Sequence, residues 1–215
     1  MPHLSTPFDH SKYITRDAAT RAIYLDFEGR PSSPPDLAGV LIEERFRHVV
    51  LNAALASAAK AHRLEVVPLR SLVAELVAQC RKEGRLLVAF SEHELVVVRK
   101  YCGRDLRGVY RNARAVAKRW RNQKYPGHPL YDYSLKSFLD FIRNRRPSSV
   151  TGFSPADSLR TVRSALDSAP HSAFGAASAK ARSAWATLLR YNKHDCLGMR
   201  ELMKRAAEAS VGRVP

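Results

Sequence analysis

The sequence predicts an α/β domain built on a mixed central sheet flanked by helices. Three observations carry this expectation. Short β-leaning runs come first, stretches of helical periodicity then alternate with a further apolar run, and the chain finishes in a long helical pattern. With 215 residues, 45% of them hydrophobic, the chain suits one domain of ordinary size with a substantial core.

Taken in order, residues 1–20 are polar, with little periodicity, and read as a flexible leader to a single domain over 21–215. Ala22 to Phe27 (Ala-Ile-Tyr-Leu-Asp-Phe) is the first strand signal, closed by Glu28-Gly29-Arg30-Pro31 and a Ser/Pro stretch that reads as a turn. Leu37 to Glu43 and Phe46 to Leu51 follow as strands, which makes an antiparallel opening plausible on order alone. Leu72, Val73, Leu76 and Val77 recur at helical spacing over 70–81, with Gly84 as the stop. Leu86 to Phe90 is a continuous apolar run and reads as a buried strand. Helices are expected over 92–101, 110–122 and 135–142. Residues 146–178 are rich in Ser, Pro, Ala and Gly, with a helix expected at about 156–165 between two loops. The last helix is expected over 177–207, on the spacing of Trp185, Leu188, Leu189, Cys196, Met199 and Leu202.

The formal net charge is +16, and the isoelectric point is near 10.3. A balance so basic points to a polyanionic partner, of which nucleic acid is the commonest. The cysteines are Cys80, Cys102 and Cys196, an odd number without close metal-type spacing, which suits free thiols in a reducing compartment. No apolar run approaches the roughly 20 residues a membrane span needs, and Met1 to Arg21 carries no long apolar core of a secretory signal. The expectation is a cytoplasmic protein with no membrane partner.

Asp26 and Glu28 stand two apart at the end of a strand, so both side chains point to one face. Carboxylate oxygens are the hard ligands that Mg²⁺ and Mn²⁺ prefer, and two like charges this close call for a cation between them. Alone, the pair reads equally well as a solvated strand end. Near the other end lies Tyr191-Asn192-Lys193-His194-Asp195-Cys196. Tyr191 and Asp195 share a helix face. Asp195 sits among apolar Leu188 and Met199, where an acid needs a cation or a hydrogen-bond partner. His194 points about 100 degrees away and reads as a surface or groove residue.

For the polyanion, Arg111, Arg114, Lys118, Arg119, Arg121 and Lys124 form a dense basic run interrupted by Tyr110, Trp120 and Tyr125. Arg and Lys neutralise phosphates, and aromatic rings stack on unpaired bases. Arg111, Arg114, Lys118, Arg119, Trp120 and, further on, Lys136 are the candidate nucleic-acid contacts. The competing reading is a solvated helix face with Trp120 in the core. Arg143, Arg145 and Arg146 make a second basic cluster.

A strand carrying D-x-E followed much later by a helix carrying Y-x-x-x-D resembles the DEDD exonuclease superfamily. The Y-N-x-x-D-C form looks most like the ribonuclease-H-like nucleases predicted beside or fused to helicases and transposase-like proteins. The resemblance spans Ala22 to Leu202, with its specific residues at the two ends. It implies a ribonuclease-H-like fold, two Mg²⁺ or Mn²⁺ ions held by Asp26, Glu28 and Asp195, and Tyr191 orienting the attacking water. It implies hydrolysis of DNA or RNA, as a 3′-to-5′ exonuclease. The family's middle acid is an aspartate shortly after the strand at 86–90. This sequence has Phe90-Ser91-Glu92-His93-Glu94-Leu95 there; some related families place a glutamate on that first helical turn, and Glu94 is taken over Glu92 because it sits one step further into the helix. Asn112, in a second region where an acid is sought, adds no charge. That departure keeps two alternatives open: a catalytically weak or inactive nucleic-acid-binding module, or a subunit of a larger nuclease or helicase complex.

Overall fold

The structure, a computed structural model, describes residues 12–30, 32–106, 108–128, 130–144, 153–168 and 173–208. The described chain begins with helix α1 (Arg16–Arg21), whose first turn is capped by Thr15 accepting from the Ala18 N–H. The expectation of a flexible leader over 1–20 is thereby corrected for its second half: Ile14 and Ala19 are buried in the core, and α1 lies against the last helix. Residues 1–11 lie outside the described residues.

Strands β1 (Ile23–Glu28), β2 (Leu37–Ile42) and β3 (Arg45–Val50) form an antiparallel meander, with Asp26 opposite Gly39 and Gly39 opposite His48. Helix α2 (Ala56–Ala61) and the two-residue strand β4 (Glu65–Val66) follow, then helix α3 (Leu69–Glu83), strand β5 (Leu87–Ala89), helix α4 (His93–Cys102) and strand β6 (Tyr110–Asn112). The sheet runs β4-β3-β2-β1-β5-β6, with β5 parallel to β1 and β6 parallel to β5. The mixed sheet expected from the sequence is present. The chain then gives helices α5 (Ala113–Lys124), α6 (Leu135–Phe141), α7 (Pro155–Asp167) and the 30-residue α8 (Ala179–Glu208).

Strand alternation divides the core. Ile23, Leu25 and Phe27 face α3 and α4, packing with Leu72, Val73, Leu76, Val97 and Val98. Tyr24 faces the opposite way, toward α5, α6 and the C-terminal half of α8. Asp26 and Glu28 follow Tyr24 at the strand period of two, and so share its face. The N-terminal half of α8 covers the same face further along, where Trp185, Leu188 and Leu189 pack with Leu37, Val50 and residues of α2 and α7. Between the two apolar halves of α8 come Asn192 and Asp195, both buried. The polar site therefore occupies the seam between two hydrophobic clusters.

Gly198 sets how closely α8 approaches α6. A Cβ there would come within 2.6 and 2.8 Å of the two terminal carbons of buried Leu139. Helix propensity favours alanine over glycine by about 1 kcal/mol, but overpacking a filled core costs about 1–3 kcal/mol. Packing wins here because Leu139 has no solvent to retreat into. Gly198→Ala is expected to lower stability by about 1 kcal/mol, as read from urea unfolding midpoints at unchanged slope.

No helix among the described residues is long and apolar enough to cross a membrane.

Candidate functional site

The C-terminal end of β1 delivers Asp26 and Glu28 to the face covered by α8. Glu28 is buried and Asp26 keeps partial access to solvent. The backbone turns beyond Glu28 because the Asp36 N–H donates back to its carbonyl at 2.8 Å. Glu94 lies in the first turn of α4, just past the neighbouring parallel strand β5. A helix N-terminus suits a carboxylate. Here the Ser91 hydroxyl, 3.4 Å from Glu94 Oε2, adds a donor. Tyr110 fixes the same turn from β6 by donating to the Ser91 carbonyl. Asp195 comes from α8 and is also buried.

These side chains, far apart in sequence, act on one another. Burial first, then the charges of Glu28, Asp195 and Glu94, hold the Asp26 carboxyl well above the usual carboxylate range. Opposing them is the Asn192 amide, whose Nδ2 donates to Asp26 Oδ2 at 2.8 Å and favours the charged form. Burial lifts Glu94 to about 7, against the hydrogen bonds it receives from its own N–H and from Ser91. The structure thus brings all of the sequence-derived acids, Asp26, Glu28, Glu94 and Asp195, into one electrostatic neighbourhood. Among the described residues, no three His, Cys, Asp or Glu side chains are grouped so as to hold a metal ion. What links the acids is the effect of Glu28, Asp195 and Glu94 on the Asp26 carboxyl.

Tyr191 lies one turn before Asp195 on α8 and is partly buried, its ring 5.2 Å from that of Phe153 at the start of the α7 segment. His194, expected at the surface or in a groove, is partly buried: its Nδ1 stands 3.6 Å from Asp195 Oδ1, and neither ring nitrogen has a hydrogen-bond partner among the described residues. Cys196 is fully buried, and burial followed by the nearby acids pushes its thiol far up, so it packs and does not react. On β3, His48 bonds the Leu189 carbonyl through Nε2 at 2.9 Å, and burial lowers its pKa to about 4. A carbonyl only accepts, so neutral His48 carries its proton on Nε2.

The basic candidates are less uniform. Arg114, Lys118 and Lys136 are exposed. Lys118 lies over the Tyr133 ring at 4.6 Å. Arg111 and Arg119 are partly buried, and Arg119 stacks on Tyr13 at 3.8 Å. Trp120 is corrected from base platform to core: it is 7% exposed and packs edge-on against Tyr125 and Phe141. The period of α5 sends it inward with Ala113, Val116 and Ala117. Asn112 also has a structural task, since its side chain accepts from the Ala115 N–H and caps α5. Arg143 is exposed at the end of α6, whereas Arg145 and Arg146 lie outside the described residues.

Sequence reasoning assigned no role to Asn192 or Ser91. A signal existed for Asn192, which precedes Asp195 by three residues and therefore shares its helix face.

The Glu94 carboxyl gives a measurable signature. Its native pKa of about 7 exceeds the ordinary 4.5, so the native state holds this proton more tightly than the unfolded chain. The associated stability is complete below about pH 4.5 and is lost as pH rises through about 7, a change of about 3 kcal/mol. Urea unfolding of metal-free protein is expected to show wild type losing stability relative to Glu94→Gln across that window. Parallel curves would place Glu94 in an ordinary solvated setting.

Compared with protein-family models, with curated proteins and with solved structures, the chain matches none of them.

Proposed function

We propose that this protein is a metal-dependent nuclease of ribonuclease-H-like fold that hydrolyses phosphodiester bonds in DNA or RNA, acting from the 3′ end. The observation that carries the reading is the convergence of buried Glu28, Glu94 and Asp195 on partly buried Asp26, whose carboxyl their charges push up. Groups whose burial and specific charge neighbours oppose their ionisation are candidates for a functional site. The donor set, all carboxylate oxygen, fits Mg²⁺ or Mn²⁺. Asp26, Glu28, Glu94 and Asp195 would hold the ions, which when bound neutralise phosphate charge and make a coordinated water more acidic.

The chain's own residues have separable tasks in this reading. The carboxylates set where the phosphate can lie. Tyr191, its ring backed by Phe153, orients a water by its hydroxyl. Exposed Arg114, Lys118 and Lys136 supply a surface for phosphates, consistent with a net charge of +16. The mixed sheet with helices on both faces is compatible with the ribonuclease-H-like assignment. All three cysteines are free thiols, which suits a cytoplasmic enzyme.

The test is cleavage of end-labelled single- and double-stranded DNA and RNA with Mg²⁺, with Mn²⁺ and with EDTA, beside Asp195→Ala. A ladder shortening from the 3′ end, absent in EDTA and in the variant, is the expected result. Retained binding without cleavage of any substrate would instead identify a nucleic-acid-binding module, and a stable hetero-complex with no affinity for nucleic acid would identify a subunit.

A further inference from the structure

We infer that Asn192, seated over Gly39, is a positioning residue that presets the Asp26 carboxylate for a divalent cation; this rests on the metal-dependent reading above. Asn192 is fully buried. One amide nitrogen holds Asp26 twice, donating to Oδ2 at 2.8 Å and to the backbone carbonyl at 3.2 Å. Gripping side chain and main chain of the same residue fixes the side-chain rotation and leaves Asp26 one preferred presentation. The reverse amide orientation would set a carbonyl oxygen against a carboxylate and a carbonyl, so the donor orientation is the one chemistry permits.

The arrangement depends on a residue in another strand. Gly39 lies opposite Asp26 in the β1–β2 pair. A Cβ at 39 would stand 2.2 Å from Asn192 Oδ1, 2.9 Å from its Cγ and 3.0 Å from Cys196 Sγ. A side chain at 39 would push the Asn192 amide out of its place on Asp26. The neighbours of Gly39 along β2 are ordinary apolar residues, so the strand gives up side-chain packing at this one position. Asn192 Oδ1 is buried and has no hydrogen-bond partner among the described residues. Burying an unpaired carbonyl works against stability, and a leucine at this seam would avoid that cost. An amide at this position is explained by the donor it offers to Asp26.

Partners that orient metal ligands are commonly worth a factor of 10–100 in affinity or activity. The experiment titrates Mn²⁺ alone into the full chain, followed by electron paramagnetic resonance. Wild type is compared with Asn192→Ala, which removes the donor, and Gly39→Ala, which keeps the donor but displaces it. Each variant is expected to weaken Mn²⁺ binding roughly tenfold or more. The double variant is expected to be no weaker than Asn192→Ala, because both changes act through one contact. At saturating Mn²⁺, kcat should fall while KM for the nucleic acid holds within about twofold. Should the variants not fold, the Asn192 side-chain amide resonance of the wild type should move during a Mg²⁺ titration along the binding curve. Wild-type Mn²⁺ binding with an unchanged Asn192→Ala affinity, or an Asn192 amide that does not respond to Mg²⁺, would overturn this inference alone. A wild type that binds no Mn²⁺ would overturn it together with the nuclease reading.

Discussion

Asp26→Asn is expected to abolish metal-dependent cleavage while making the metal-free protein more stable. The substitution keeps the shape of the side chain and an acceptor for the Asn192 amide, and removes only the charge. Loss of a carboxylate that would hold a metal ion should lower kcat roughly 10³-fold or more, about 4 kcal/mol of transition-state stabilisation. The same change relieves the repulsion that Asp26 feels from Glu28, Asp195 and Glu94. In EDTA the thermal midpoint should therefore rise, by about 2–4 °C for each kcal/mol relieved in a chain of this size. The opposed signs are what make the result informative. A variant that loses activity by misfolding would lose stability as well, and one that keeps activity would remove Asp26 from the metal site. Binding of single-stranded DNA or RNA in EDTA, measured by anisotropy, should survive.

Arg163→Met is expected to be among the most destabilising single changes in the molecule. Asp36, just before β2, is fully buried. Its Oδ1 accepts from the Arg163 guanidinium on α7 and from Asn52 Nδ2 at 2.8 Å, while Oδ2 has no partner among the described residues. Removing the arginine leaves a carboxylate in the interior with one amide for company, at a cost of about 3–5 kcal/mol. Asp36→Asn in the same chain removes the stranded charge, so the double variant should recover much of the loss. Urea unfolding of the two singles and the double closes the cycle, and an additive result would mean that the pair does not interact energetically. Activity should fall with stability, because Arg163 anchors the helix whose first residues follow Phe153, and Phe153 backs Tyr191.

The sequence showed much of this arrangement, and the parts it hid have physical reasons. Strands β1 to β3 and helices α3, α4 and α8 were legible because each has a long enough apolar pattern to display its period. Strand β4 has two residues and β6 three, too few to show alternation. The β6 residues Tyr110, Arg111 and Asn112 read as the start of the following helix until Asn112 is seen to cap it. Helix α2, Ala-Ser-Ala-Ala-Lys-Ala, has no large side chain to mark a face. Helix α1 was hidden by its polar residues, since only Ala19 within it is buried. At the site, the acids stood out because charge beside an apolar strand or helix face is conspicuous. Asn192 and Gly39 did not, because their meaning is a contact between elements far apart in sequence. Trp120 was misread for a related reason: an aromatic among arginines looks like a stacking residue until the helix phase turns it inward.

Helix α8 binds the site to the history of the chain as well as to its geometry. The hydrogen bonds from Asn192 to Asp26 span 166 residues, so the strand that carries two of the acids is synthesised long before the helix that completes the set. Contacts of such separation form late and slowly, after the entropy of closing the intervening loop has been met. A nascent chain whose α8 is still inside the ribosomal tunnel has Asp26, Glu28 and Glu94 but neither Asp195 nor Tyr191. The full set of acids therefore exists only once α8 has been made and has docked on β1.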